Sequence, residues 1–198
     1  MSDLPAGRQS VGSKWVCKVK HNADASVERY KAPIVAKGYS QIECLDYDET
    51  FAPVIRYYSL CLIIALGTHL GLDTDQLDIK SGFLNGDLVE EIWMVPPPGI
   101  SLDGKILRLA KALYGLKQAP LARFEKLSEA LSEIGFISLP FDPCDFISAD
   151  HKIIDVVYVD DISTAGSRSD INHLIDHLRS RFKVTVKGRL KYILVIEI

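Results

Sequence analysis

Residues 152–159, KIIDVVYV, are mostly apolar, and they run directly into two adjacent carboxylates, Asp160 and Asp161. A strand this apolar belongs in a core, whereas burying a charge is costly unless it is paired or bound to metal. A hairpin reconciles the two demands: its strands stay inside and its turn carries the acids to solvent, with Ile162 starting the return strand. Asp-Asp is also ordinary turn chemistry. Tyr158-Val159-Asp160-Asp161 alone supports either a plain turn or a functional acidic tip.

A second segment bears on that choice. Gln76-Leu77-Asp78-Ile79-Lys80 places one acid in an apolar stretch, and a strand there beside the first would converge three carboxylates. Oxygen-rich clusters suit Mg²⁺, and two such ions ~3.5–4 Å apart are the apparatus of in-line phosphoryl transfer. The formal net charge of −3 argues weakly against nucleic acid as a partner, since its binders are usually basic. The charge is unevenly spread, however. Residues 1–40 carry seven Lys/Arg against three Asp/Glu, and residues 41–100 carry two against ten. A basic N-terminal segment therefore precedes an acidic one that contains Asp78.

The rest of the chain reads as a mixed fold. Residues 14–20 alternate polar and apolar, Asn22–Ser26 is turn-like and Val27–Val35 returns, which gives a basic β-hairpin. Ser59 is expected to cap a helix through His69, with Gly71 as its stop. Leu121, Phe124, Leu127, Leu131 and Ile134 form one amphipathic stripe, and Ile171, Leu174, Ile175, Leu178 and Phe182 form another. Leu190–Ile198 is strand-like. Irregular alternation of strands and helices with hairpins predicts an α+β fold, an antiparallel sheet covered by helices on one face. At 198 residues, 47% hydrophobic and 25% charged, the chain is of globular composition. Its longest nearly unbroken apolar run, Leu60–Leu66, is far below the ~18 residues of a membrane span. The start lacks the apolar region of a secretory signal, and four cysteines without Cys-x-x-Cys spacing fit a reduced compartment. The expected location is intracellular and cytoplasmic, without a membrane partner.

Several segments together resemble one family. They are KWVCKVKHNADASVERYKA at 14–32, VAKGYSQ at 35–41, DYDETFAPV at 46–54, QLDIKSGFLNGDL at 76–88, LAKALYGLKQAP at 109–120, YVDDI at 158–162 and LKYILVIEI at 190–198. In this order and spacing they look like the reverse transcriptase domain of copia-type LTR retrotransposon Pol polyproteins. The resemblance implies a right-hand polymerase with fingers and palm, the antiparallel palm sheet backed by helices. Residues of about 12–75 and 90–118 would be fingers with palm elements, and about 76–89 and 119–198 mainly palm. It also implies RNA-directed DNA synthesis on an RNA or DNA template with a primer and dNTPs. Asp78, Asp160 and Asp161 would be the catalytic metal ligands for two Mg²⁺ (Mn²⁺ as a substitute). Lys31 and Lys37 would contact the incoming triphosphate, Phe83 would be the aromatic gate against a ribose 2′-hydroxyl, and Tyr114 and Gly115 would lie in the motif beside nucleotide and template. Phe83 reads equally well as a packing residue, and Lys31 and Lys37 as a solvated strand face. A thumb and RNase H are expected to be absent. A complete element would supply RNase H and integrase from the rest of its polyprotein and would be particle-associated.

The chain departs from the family pattern at five places: Pro33, Cys61 and Leu121 where the family usually has Arg, Arg123 where it has Trp, and Val195 where it has Gly. These raise the alternative of a catalytically inactive fragment or relic. Two further readings compete. His173 and His177 stand at i and i+4 with Asp176 between them, as in an inverted zinc-protease motif, although the apolar stripe puts both on the outer helix face. The basic hairpin alone would make a nucleic-acid-binding module.

Overall fold

The computed structural model describes residues 2–21, 25–190, 192–193 and 196–197, with no side-chain description beyond Leu190. Residues 22–24 of the turn expected at Asn22–Ser26, and position 195, lie outside the described residues. In chain order the strands begin with β1 (Ser10–Val11), β2 (Ser13–Trp15), β3 (Lys18–His21), β4 (Val27–Lys31) and β5 (Ile34–Ala36). Helix α1 (Tyr57–His69) leads to β6 (Asp73–Ile79), β7 (Trp93–Met94) and β8 (Leu107–Arg108). Helix α2 (Ala119–Glu133) precedes β9 (Phe136–Leu139), β10 (Asp142–Ser148), β11 (Ile154–Tyr158) and β12 (Asp161–Gly166). Helix α3 (Arg168–Arg181) is followed by β13 (Val184–Arg189), β14 (Tyr192–Ile193) and β15 (Ile196–Glu197). Among the described residues no helix is long and apolar enough to cross a membrane. The chain divides into two compact units, Met1–Phe51 with Gly86–Ala122, and Ala52–Asn85 with Arg123–Ile198.

In the first unit, β1 pairs with β7 in parallel and β7 with β8 antiparallel. The expected basic hairpin forms, but in two pieces: β2 pairs with β5 and β3 with β4. The pairing of Trp15 with Ile34 and of Lys18 with Lys31 keeps one register across the gap. Pro33 stands in the gap and has no N–H to give the ladder; its carbonyl still accepts from Val16 N at 3.0 Å. A buried amide knot anchors the base of this unit. Gln41 Nε2 donates to Gln118 Oε1 at 2.9 Å, Gln118 Nε2 to the Asp46 carbonyl at 2.7 Å, and Lys117 N to Gln41 Oε1 at 2.8 Å.

The second unit is built on a six-stranded antiparallel sheet in the order β13-β6-β12-β11-β10-β9. Side chains alternate across it, so each strand feeds two cores. Leu77, Val157 and Ile162 face Leu127 and Leu131 of α2 and Leu174 and Leu178 of α3. Val156 and Ala165 face Leu60 and Ile63 of α1. Burying each such side chain contributes ~1.5–3 kcal/mol, which holds the sheet without disulfides. Helices therefore cover both faces, not one as expected, because Leu60 and Ile63 give α1 a buried stripe of its own.

Helix α1 also starts earlier than expected. It begins at Tyr57, and Ser59 lies in its first turn. Its cap comes from a distant strand: Asp142, 1% exposed, accepts from Arg56 N at 2.7 Å and from Ser59 Oγ at 2.9 Å through Oδ2. A carboxylate at a helix N-terminus satisfies orphan donors and the helix dipole together. Helix α3 matches its expected stripe, with Ile171, Leu174 and Leu178 buried, and α2 buries Leu127 and Leu131 of its stripe, whereas Ile134 falls just past the helix end and is exposed. Strands β9, β10 and β13 have no counterpart in the sequence reading. Of the strand expected at Leu190–Ile198, the described part is a short pairing of β14 with β15.

Candidate active site

Strand β11 returns as β12 through a two-residue loop, Val159-Asp160, closed by the pairing of Tyr158 with Asp161. Next in the sheet lies β6, whose Asp78 is the cross-strand partner of Asp161. Ile79 N donates to the Asp160 carbonyl at 2.8 Å and ties the turn to the end of β6. The register thus brings Asp78, Asp160 and Asp161 to one end of the sheet, half-buried rather than in the core. The turn is strained: Val159 has φ +47°, a conformation unfavourable for a β-branched residue.

Three cations attend the carboxylates. Lys80 Nζ lies 2.6 Å from Asp78 Oδ2. Lys187 Nζ lies 2.5 Å from Asp161 Oδ1 and 3.5 Å from Asp78 Oδ1. A bulge in β13 puts Lys187 there: Val186 pairs with Leu77 and Gly188 with Gln76, so Lys187 is the extra residue and its side chain is re-aimed. Partial burial pushes the Asp78 carboxyl up, but the pairs with Lys80 and Lys187 together outweigh it and hold it below the ordinary value. Burial works to lower Lys187, and its pairs with Asp161 and Asp78 win, leaving it raised. The third cation is Arg123 of α2, 6% exposed, whose Nη1 lies 3.8 Å from Asp160 Oδ1. Burial lowers its pKa against the opposing pull of Asp160.

Gly82, in a 3-10 turn over Gly82–Asn85, roofs this corner. A Cβ there would come 2.0 Å from Asp160 Oδ1, so only glycine leaves the carboxylate its place. The donor set is all oxygen and suits a hard divalent ion. As placed, no three His, Cys, Asp or Glu groups among the described residues close around one point. The lysine ammonium groups instead sit against Asp78 and Asp161, supplying the positive charge that a bound ion would bring.

Phe83 follows Gly82 in the same turn and is half-buried. The remaining expected residues belong to the first unit. Lys31 is exposed on β4. Lys37 is half-buried, donates its N–H to the Gly12 carbonyl at 2.8 Å and lays its stem over Gly12. The exposed Tyr114 accepts from Ala36 N at 2.8 Å. Gly115 has φ +97°, and a Cβ there would strike the Ala36 carbonyl at 2.1 Å, so both conformation and space require glycine. The structure thus groups the three aspartates with Phe83, groups Lys37 with Tyr114 and Gly115, and leaves Lys31 on the outer hairpin. His173 is exposed, and His177 Nε2 lies 2.9 Å from the Ala130 carbonyl and 3.6 Å from Glu133 Oε2, a helix-to-helix contact.

Sequence reasoning missed the cations. Lys80 was visible as the residue two after Asp78, on the same strand face by alternation. Lys187 was not, because a bulge rather than the sequence period aims it.

A sequence profile for the family described as reverse transcriptase (RNA-dependent DNA polymerase) matches residues 1–198. The Pol polyprotein from transposon TNT 1-94 of Nicotiana tabacum is 37% identical over 203 residues, covering 99% of this chain and 15% of that protein. The Pol polyprotein from transposon RE1 of Arabidopsis thaliana is 41% identical over 193 residues, 94% of this chain and 13% of the relative. The Ty1-BL Gag-Pol polyprotein of Saccharomyces cerevisiae is 29% identical over 161 residues, covering 79% of this chain and 9% of its own length. The chain thus spans about one seventh of the two plant polyproteins. With a profile match from end to end and two plant relatives above 35% identity, the chain belongs to the reverse transcriptase (RNA-dependent DNA polymerase) family.

Proposed function

We propose that this chain is the RNA-directed DNA polymerase domain of a retrotransposon polyprotein. The unit built on the six-stranded sheet acts as palm, and the unit carrying the basic hairpin acts as fingers. The observation that carries the reading is the strand register that sets Asp78 beside Asp161 with Asp160 in the adjoining turn.

In the proposed reaction a primer 3′-oxygen attacks the α-phosphorus of a dNTP. The oxygen–phosphorus bond forms, the α–β phosphoanhydride bond breaks, and pyrophosphate leaves. Two Mg²⁺ or Mn²⁺ held by Asp78, Asp160 and Asp161 would lower the hydroxyl pKa and neutralise charge on the leaving group. Lys80 pairs with Asp78, and Lys187 with Asp161 and Asp78, which fixes these carboxylates in place before substrate arrives. Gly82 leaves the Asp160 carboxylate the room it needs, and Phe83 on the same turn presents a ring for the sugar. Gly115 lets backbone approach the nucleotide beside Tyr114. Lys31 and Lys37 offer ammonium groups to the triphosphate. Template, primer and the remainder of the polyprotein are the partners.

The test is primer extension on poly(rA)/oligo(dT) with Mg²⁺ or Mn²⁺. The expected result is dTTP incorporation that falls about 100-fold or more in Asp78→Asn and Asp160→Asn. Incorporation that survives both substitutions unchanged, or silence of the unmodified chain at high concentration, overturns the reading.

A further inference from the structure

Arg123 is out of place by ordinary rules of burial. A guanidinium is almost never fully buried unless paired, yet this one is 6% exposed and its Nε has no hydrogen-bond partner among the described residues. The carboxylate that faces it is Asp160, with Nη1 3.8 Å from Oδ1, beyond hydrogen-bond range. The two side chains share one niche under Gly82: a Cβ on that glycine would lie 2.0 Å from Asp160 Oδ1 and 3.1 Å from Arg123 Cδ. Arg123 cannot swing away as a surface lysine can, because its side chain is 7% exposed where Asp160 keeps 37%. Lys80 and Lys187, at 37% and 38%, are free to turn outward when a cation arrives.

From this geometry we infer that Arg123 is a fixed counter-ion of Asp160 that weakens divalent-metal binding at the carboxylate cluster, so that this chain loads its metals only at raised concentration. The inference rests on the proposed metal role of Asp78, Asp160 and Asp161. A cation bound to Asp160 meets a positive charge that cannot leave, in surroundings where water screens poorly. Lys80 and Lys187 instead exchange one partner for another and impose a smaller cost. Arg123 thus sets metal affinity without being a ligand, and it acts by charge, not by shape.

Mn²⁺ binding to the full chain, followed by electron paramagnetic resonance and by calorimetry without primer or nucleotide, tests this. Arg123→Met keeps the stem and removes the charge, and is expected to bind Mn²⁺ about tenfold more tightly or better. Arg123→Lys keeps the charge and is expected to stay near the parent. Equal or weaker binding in Arg123→Met overturns the inference while leaving the polymerase reading intact. If neither parent nor variant binds Mn²⁺, the metal reading falls and takes the inference with it. Should Arg123→Met fail to fold, Asp160→Asn decides in the parent background. Removing the Asp160 charge that faces a buried guanidinium is expected to lower the thermal midpoint, and an unchanged midpoint would show that the two charges do not interact.

Discussion

Two antiparallel hairpins in this chain share a construction and differ in almost everything else. In β3–β4 every described residue is exposed, and Lys18, Lys20, Arg29 and Lys31 give it a positive surface. In β11–β12 the strands are buried on both faces, Val156, Val157, Ile162 and Ala165 being at most 1% exposed. The first is held by its own ladder, the second by three helices. A one-residue slip in β11–β12 would turn both cores inside out, whereas in β3–β4 it would exchange one exposed face for another. That difference decides which hairpin can carry chemistry. Only a register locked by burial holds Asp161 opposite Asp78, as the proposed shared ligation requires.

The largest effect should come from cutting into that lock. Ile162→Ala, fully buried in β12, is expected to cost about 2–5 kcal/mol, whereas Val19→Ala in β3, at 45% exposure, should stay within about 0.5 kcal/mol. Urea unfolding of both variants checks the pair. Equal losses would mean that the two hairpins are equally embedded and that the contrast is wrong.

The buried hairpin also holds an acid that no substrate reaches. Asp155 is fully buried in β11 opposite Thr164 on β12. Burial pushes its carboxyl up to about 7, against the opposing pull of Thr164. The folded chain therefore keeps this proton where the unfolded chain, with an ordinary carboxylate near 4, has released it. Its contribution to stability is full below about pH 4, is lost as pH rises toward 7, and is flat above that. Asp155→Asn should remove the slope and make the protein more stable than the parent above pH 7 by a few kcal/mol. Thermal midpoints across pH 4.5–8 measure it, and parallel curves for parent and variant would refute the assignment.

How much of this was legible depended on where the partners lie. The β11–β12 hairpin could be read from its apolar run ending in acids, and the acid in β6 from the alternation of Leu77 and Ile79 around it. Helices α2 and α3 could be read because their stripes are local. Strands β9 and β10 could not, since Pro140, Pro143, Asp142 and Asp145 break every apolar pattern there. Asp142 is tolerated in that strand because it caps α1 from 83 residues away, a tertiary fact invisible locally. Strand β13 was a missed signal, for Val184 and Val186 alternate in plain view. Arg123 stood out only as an unfamiliar residue, and nothing in its neighbours placed it against Asp160.

A smaller effect is expected where α3 meets the sheet. Arg168 holds the buried Asp75 of β6 through Nη1 at 2.6 Å and Nη2 at 3.2 Å, and reaches Asp73 with Nε at 3.4 Å. Arg168→Ala would leave a buried carboxylate without its partner, at a cost of about 1–3 kcal/mol. Arg29→Ala on β4, whose partner Glu28 is equally exposed, should cost nothing measurable. Thermal unfolding of the two variants at one ionic strength distinguishes them, and a matching shift would place Arg168 among the surface pairs.

The smallest effect lies in the turn that presents Asp160. An L-residue at positive φ costs ~1–2 kcal/mol, and Val159 at φ +47° bears that cost with a β-branched side chain that is 39% exposed and so regains little by burial. Glycine would relieve it but loses ~0.5–1 kcal/mol of its own to backbone entropy. Val159→Gly should therefore raise stability by less than about 1 kcal/mol. The two-residue turn also limits how far the Asp160 carboxylate can wander, since valine at 159 has fewer backbone conformations than the glycine that would replace it. Relief of strain should then lower primer extension several-fold while the thermal midpoint rises. That opposition separates a turn under functional strain from one that is merely poorly chosen. If midpoint and activity fall together, Val159 matters for packing and the strain has no role in aiming Asp160. If the midpoint rises and activity is unchanged, the aim of Asp160 is set by the Ile79 hydrogen bond and the Gly82 roof alone.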